Sequence, residues 1–121
     1  MSMEIPPQVQ NQIAQLQQLQ IQLQATIRQK MQIEAMLRDT ESALEELEKV
    51  GEEHVIYKSV GDLLIKSKRD EIKEELTEKK ETYDLRLKTL ERQEERLQKR
   101  FQQLQEQIRQ ALSGSIPTGG A

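Results

Sequence analysis

The feature that most constrains the fold is a pair of long apolar stripes with heptad spacing, one in each half of the chain. Between Val9 and Leu47, twelve positions separated by alternating steps of three and four residues include eight apolar residues. Between Leu76 and Ala111, nine of eleven such positions are apolar. Spacing sustained over this length is typical of coiled-coil helices. We therefore expect a mainly α-helical chain with two helices of similar length.

Turn-forming residues set the expected boundaries. Pro6 and Pro7 suit the first turn of a helix, and Gly51 suits a helix end. The Gly, Pro and Ser residues near the end of the chain predict a tail without regular structure. The expected organisation is an N-terminal segment at residues 1–7, a helix at 8–50, a β-hairpin at 54–68, a second helix at 70–112 and a flexible tail at 113–121.

The segment between the helices has the pattern of two short strands. Val, Ile and Tyr residues cluster around Gly61 and Asp62, which form a turn signal. An isolated two-stranded hairpin is marginal in water and leaves two open edges. We therefore expect hairpins from several chains to join into one sheet or barrel, with the coiled coils projecting from it. The residues predicted to form this assembly surface are Val55, Ile56, Tyr57, Val60, Leu63, Leu64 and Ile65.

A hairpin at the midpoint predicts that the helices return as an antiparallel coiled coil. If the numbers of facing residues add up to 120, Leu23 meets Leu97 and the polar Thr26 falls opposite Glu94. This register keeps most apolar layers intact, which favours it over a slip of one turn. The outer faces carry acid–base pairs at a spacing of four residues, which add about 0.2–0.5 kcal/mol each. These pairs are Glu34–Arg38, Glu45–Lys49, Glu75–Lys79, Asp84–Lys88 and Glu95–Lys99.

Composition argues against catalysis and nucleic-acid binding. The 121-residue chain has a net charge of −3 and three aromatic residues, whereas nucleic acids require basic surface or stacking rings. The sequence contains no cysteine and one histidine, His54, too few for a zinc site. It also contains no glycine-rich phosphate loop. We expect no enzyme activity and no cofactor, and a structural or solvent-facing role for His54.

The chain is not expected to enter or bind a membrane. Residues 5–27 carry no charge and could span a bilayer by length, but they include nine glutamines whose burial in lipid would be prohibitive. They also lack the flanking basic and aromatic residues of interfacial helices. The absence of cysteine fits a reducing cytoplasm.

Charged side chains are missing near both chain ends, at residues 5–27 and 110–121. Antiparallel pairing brings these segments together at the end remote from the hairpin. Two interpretations fit this tip: the fraying end of an ordinary coiled coil, or an apolar interaction surface. Farther along the first helix, Met31 and Met36 are expected to pack within the helix pair. The apolar residues of the tip are Ile5, Val9, Ile13, Leu16, Ile108, Leu112 and Ile116.

Three stretches of the sequence resemble a known family. The run VIYKSVGDLLIKS at residues 55–67, followed by LKTLERQEERLQ at 87–98, resembles the beta-class subunits of archaeal prefoldin. The opening IPPQVQNQIAQLQQLQ at residues 5–20 is similar to the start of those subunits. The resemblance covers almost the whole chain, and the hairpin and the PPQVQ start are its most specific parts.

The resemblance implies a hexamer of two alpha-class and four beta-class subunits. In such a hexamer the hairpins form a double β-barrel, and the coiled coils extend from it as tentacles. It further implies an ATP-independent holding chaperone that binds unfolded proteins at the tentacle ends and passes them to a group II chaperonin. On this sequence, the client-binding segments would be Ile5–Leu16 and Ile108–Ile116. The main rival is an architectural coiled-coil adaptor for one partner helix, which does not explain a hairpin at the midpoint.

Overall fold

The computed structural model describes residues 4–115 of the chain. Its elements in chain order are helix α1 (Pro7–Glu48), strand β1 (Ile56–Val60), strand β2 (Leu63–Ser67) and helix α2 (Arg69–Ser115). Two long helices therefore flank one antiparallel hairpin. This is the mainly α-helical fold that the two apolar stripes predict.

Helix α1 begins at the proline pair and ends just before Gly51. Pro7 is its first residue, and the Pro6 carbonyl accepts a hydrogen bond of 3.0 Å from the Gln10 backbone N–H. A proline suits this position because the first N–H groups of a helix have no partner within it. After the helix, the Val50 N–H donates to the Leu47 carbonyl at 3.3 Å. This hydrogen bond spans three residues and not four, so the chain makes a tighter, 3₁₀-type turn at the end of α1.

The hairpin closes through a two-residue loop. Val60 pairs with Leu63 and Ile56 pairs with Ser67, which leaves Gly61 and Asp62 between the strands. Gly61 has a φ of 57°, and among the described residues no non-glycine residue has a positive φ. A positive φ at the first loop position alone is the pattern of a type II′ turn. A β-carbon at Gly61 would meet no atom within 4 Å, so the backbone conformation, and not space, favours glycine.

Helix α2 continues to Ser115, so the predicted boundary between helix and tail, after residue 112, lies three residues too early. Residues 113–115 belong to the helix, and residues 116–121 lie outside the described part of the chain. The sequence contains a physical reason for the later end. Pro117 disfavours a helical conformation at the residue before it, so the stop signal lies at Ile116 and not at Ser113.

The chain divides into two compact units, and each contains part of both helices. The terminal unit consists of residues 4–29 and 90–115 within the described range, and the central unit of residues 30–89. In the central unit, Ile33 and Leu47 are buried stripe residues. The stripes thus predict which side chains are buried. The core of the terminal unit is also made of stripe residues: Val9, Leu19, Leu97, Leu104 and Ile108.

Polar contacts within each unit fix the pairing of the helices. In the terminal unit, Thr26 bonds to Gln93, one residue from its expected partner Glu94. In the central unit, Glu48 pairs with Lys73 at 2.8 Å, again one residue from the expected partner. Both contacts agree with the predicted register to within one residue.

Candidate functional site

The residues predicted for assembly give the hairpin an exposed apolar surface. Leu64 is 71% exposed and Leu63 is 65% exposed, whereas Ile56 is half-buried. Val55 is exposed and precedes β1 by one residue. The other exposed members are Tyr57, Val60 and Ile65.

Apolar side chains stand on both faces of this hairpin. The pairing places Val60, Leu63 and Ile65 on one face, and Tyr57 and Leu64 on the other. Antiparallel sheets with one face in water usually alternate between apolar and polar residues, whereas strands covered on both faces are apolar throughout. The hairpin therefore exposes apolar side chains on both faces, although Lys58, Ser59, Lys66 and Ser67 lie among them.

Ionic contacts tie the hairpin and both helices together within the central unit. Lys58 of β1 pairs with Glu75 of α2 at 2.7 Å. At the start of α2, the largely buried Arg69 donates from Nε to the Leu47 carbonyl at 2.9 Å. That carbonyl lies in the last turn of α1, where acceptors lack a donor within the helix, and its other hydrogen bond comes from the Val50 N–H. Arg69 therefore caps one helix from the beginning of the other.

Glu48 completes an ionic cluster with Arg69 and Lys73, which we call the Glu48 cluster. The Lys73 ammonium lies 2.8 Å from the Glu48 carboxylate, and the Arg69 guanidinium lies 3.9 Å from it. A hydrogen bond from Lys73 and its positive charge, with a smaller contribution from Arg69, lower the pKa of Glu48. The cluster holds the end of α1 against the beginning of α2, and so fixes the two ends between which the hairpin is inserted.

The predicted tip residues lie at different depths in the terminal unit. Val9 is 3% exposed and Ile108 is 9% exposed, so both belong to the core. Ile13 and Leu16 are half-buried and pack against that core. Side chains at this depth support the surface but offer little apolar area to a ligand.

Two of the predicted tip residues are exposed. Ile5, just before α1, is 42% exposed, and Leu112, near the end of α2, is 37% exposed. Ile116 lies outside the described residues. Among the predicted tip residues that the structure describes, the exposed ones are therefore Ile5 and Leu112, and we call these two residues the tip pair.

The expectation that Met31 and Met36 pack within the helix pair is wrong. Met31 is 61% exposed and Met36 is 47% exposed. Each lies one residue beside a stripe position, and one residue along a helix rotates the side chain by about 100°. Sequence reasoning also missed two other exposed apolar residues, Ile21 and Leu85, at 62% and 67%. A helical-wheel projection places all four off the stripes.

A polar layer interrupts the core of the terminal unit. Thr26 is only 2% exposed, and its hydroxyl donates to the Gln22 carbonyl at 2.9 Å. The same oxygen accepts a hydrogen bond of 3.2 Å from Gln93 Nε2. Because the hydroxyl makes both bonds, its burial does not leave an unpaired polar group.

The described residues form neither a metal-binding group nor a membrane-spanning helix. Within residues 4–115, no group of acidic or histidine side chains is placed to hold a metal ion. Neither helix, over the same range, has an apolar stretch long enough to cross a membrane. His54 accepts a hydrogen bond of 3.0 Å at Nδ1 from the Gly51 N–H, so its ring closes the loop after α1.

Comparisons with known proteins extend over both helices and the hairpin. A family model described as "Prefoldin subunit" matches residues 10–115. The chain is 60% identical over 110 residues to prefoldin subunit beta of Archaeoglobus fulgidus, which covers 91% of this chain and 95% of that protein. It is 43% identical over 108 residues to prefoldin subunit beta of Pyrococcus furiosus, with coverage of 89% and 92%. The crystal structure of the prefoldin beta subunit from Thermococcus strain KS-1 superposes with a TM-score of 0.85 at 40% identity, and covers 96% of this chain and 100% of that one.

Proposed function

Because this chain belongs to the prefoldin family, as a beta-class subunit, it is a chaperone subunit and not an enzyme, and we propose that it holds unfolded proteins without ATP. In this proposal, four copies assemble with two alpha-class subunits in the cytoplasm. The hexamer captures unfolded client proteins at the ends of its coiled coils and passes them to a group II chaperonin.

The two-faced apolar hairpin supports the assembly step. Residues such as Leu64 and Tyr57 are too exposed on a single chain to serve its own core. Contiguous exposed apolar surface on a protein marks an interaction site, and an open strand edge pairs readily with another strand. Hairpins from several subunits would cover these faces and close the edges in one barrel.

The observation that carries the client-binding step is the exposed tip pair, whose members belong to the uncharged segments 5–27 and 110–121. Ile5 and Leu112 are exposed, while the stripe residues beside them are buried and keep the helices together. Two such side chains per arm give weak binding. Several arms on one body raise the effective concentration of binding sites, so the complex retains a client that each arm binds only briefly. Weak single contacts also allow release to the chaperonin.

Substituting the tip pair tests the client-binding step. We expect Ile5→Ser with Leu112→Ser to weaken the suppression of aggregation of a thermally unfolding protein, followed by light scattering without nucleotide. The matched control is Met36→Ser with Leu85→Ser, which removes two exposed apolar residues from the central unit. We expect the control to suppress scattering as the wild type does. Equal suppression by the tip variant would reject these residues as the client site, and no suppression by the wild type would favour the adaptor.

A further inference from the structure

The terminal unit carries a groove of about 470 Å³ whose walls are mostly glutamine side chains. Helix α1 contributes Gln15, Gln18 and Gln22, which are three and four residues apart and therefore share one face. Helix α2 contributes Gln103 and Gln107 with a similar spacing. The groove thus runs between the two helices and has amides along both sides.

The floor of the groove is apolar and its walls are almost uncharged. Leu19 and Leu104, which are 6% and 8% exposed, form the floor. Among the residues that line the groove, Arg100 alone carries a charge. Because side chains at this depth offer little apolar area, the groove presents mainly neutral hydrogen-bonding groups.

The five wall amides are available to a ligand. All five glutamines are exposed, and within the described part of the chain none of their side chains hydrogen-bonds to another residue. Gln93 behaves differently, because its side chain donates to the buried Thr26. The wall glutamines are thus not needed to hold the helices together.

A polypeptide backbone matches these walls in chemistry and charge. A glutamine amide offers a carbonyl acceptor and N–H donors, the same groups that a peptide bond offers. The backbone is also neutral, like the five wall amides. From Gln15 to Gln22 the helix rises about 10 Å, which is the length of about three residues of extended chain.

We propose that this groove binds the backbone of an extended segment of an unfolded client. The inference rests on the proposed holding function and deepens it, because it names the chemical group that is recognised. Folded proteins pair most of their backbone groups internally, so free backbone distinguishes an unfolded chain from a folded one. Recognition through the main chain also leaves client side chains free to vary, as in strand addition at a sheet edge.

Backbone methylation of a probe peptide tests this inference on the unaltered protein. The full-length chain, co-assembled with an alpha-class subunit, is titrated with a fluorescent, neutral, unstructured peptide of about ten residues. A second titration uses the same peptide with alternate backbone nitrogens methylated, which removes donors and keeps the side chains. We expect the methylated peptide to bind about tenfold more weakly, the effect of losing one or two hydrogen bonds. Equal or tighter binding of the methylated peptide would overturn the inference.

A set of variants locates the effect in the groove. Methionine has a length and helix propensity close to those of glutamine but has no amide, so exposed positions should accept it without unfolding. The groove variant replaces Gln15, Gln18, Gln103 and Gln107 with Met. The matched control carries Met at four other glutamine positions that are exposed and do not line the groove: Gln17, Gln24, Gln98 and Gln105.

We expect the groove variant to bind the unmethylated peptide about tenfold more weakly and to lose its sensitivity to methylation, while the control keeps both. If apolar contact alone held the client, the added methionines would leave binding equal or make it tighter, and that result would reject the groove. The inference and the proposed function can fail separately. If the wild type suppresses aggregation but binds the two peptides equally, the groove is rejected and the proposed function stands. If the wild type neither binds the peptide nor suppresses aggregation, both the groove and the proposed function are rejected.

Discussion

At the scale of single residues, Thr26 shows what a stripe pattern can and cannot specify. Its position in the apolar seam predicts that it is buried, and the structure confirms this. The seam also predicts that it faces Glu94, yet the hydrogen bond comes from the neighbouring Gln93. Heptad rules place β-carbons, whereas a long glutamine side chain can reach across from the flank of the helix. The partner of a buried polar group therefore depends on side-chain reach, which spacing does not encode.

Replacing Thr26 with Val should destabilise the folded protein by about 1 kcal/mol, because Gln93 Nε2 loses its acceptor in a buried layer. Denaturant unfolding at a fixed protein concentration measures the change. Thr82→Val is the matched control, since the exposed Thr82 hydroxyl makes the same bond to the carbonyl four residues earlier. It should change stability by less than about 0.5 kcal/mol. Equal losses in the two variants would mean that the bond to Gln93 contributes nothing.

At the scale of secondary-structure elements, local rules predict the helices and the hairpin better than the contacts between them. The expected pair Glu95–Lys99 forms at 3.2 Å. Glu75, expected to pair with Lys79 on its own helix, instead contacts Lys58 of the hairpin. Sequence spacing reveals partners within one helix, whereas the contact from Lys58 depends on how the hairpin folds back. The capping of α1 by Arg69 could not be predicted for the same reason.

The turn of the hairpin supplies a test at this scale. Gly61→Ala should destabilise the protein by about 1 kcal/mol, because the alanine must adopt the left-handed conformation that Gly61 holds at a φ of 57°. Gly114→Ala is the matched control: Gly114 lies in helix α2 and also has space for a β-carbon. It should leave stability unchanged or raise it slightly. If Gly61→Ala is as stable as the wild type in thermal unfolding, the turn does not require a positive φ.

The joint between the helices should respond to acid. Contact with Lys73 lowers the pKa of Glu48 below its ordinary value of 4.5 in the folded protein. A carboxyl group of this kind stabilises the fold above its unfolded pKa, and the stabilisation disappears as the pH falls through the folded pKa. The melting temperature should therefore fall between about pH 7 and about pH 3 by more in the wild type than in Glu48→Gln.

Glu106 has its pKa lowered in the same direction by a hydrogen bond from Arg109, but it is present in both proteins of this comparison, so its effect cancels. Glu74→Gln, which removes an exposed carboxylate of α2 outside the Glu48 cluster, is the matched control. It should follow the wild-type pH curve. Identical pH curves for the wild type and Glu48→Gln would show that the cluster contributes no stability.

At the scale of the whole molecule, patterns in the sequence predict the order of the elements and their pairing. Two stripes and a central turn predict the helix–hairpin–helix order and the antiparallel register, because period and turn chemistry act locally. The depth of the tip residues was not predictable in the same way. Val9 and Ile5 are both apolar and four residues apart, yet one is buried and the other exposed, since Val9 lies within α1 and Ile5 precedes it.

In the proposed assembly, the hairpins join several chains into one body that carries the arms. The most direct test is the mass of the particle formed when this chain is mixed with an alpha-class subunit, measured by native mass spectrometry. We expect a particle of two alpha and four beta chains. We expect Tyr57→Ser with Leu64→Ser, on one face of the hairpin, to prevent formation of this particle, and Leu85→Ser on helix α2 to leave it intact. Wild-type subunits that stay separate, or a complete hexamer from the substituted hairpin, would contradict the proposed assembly.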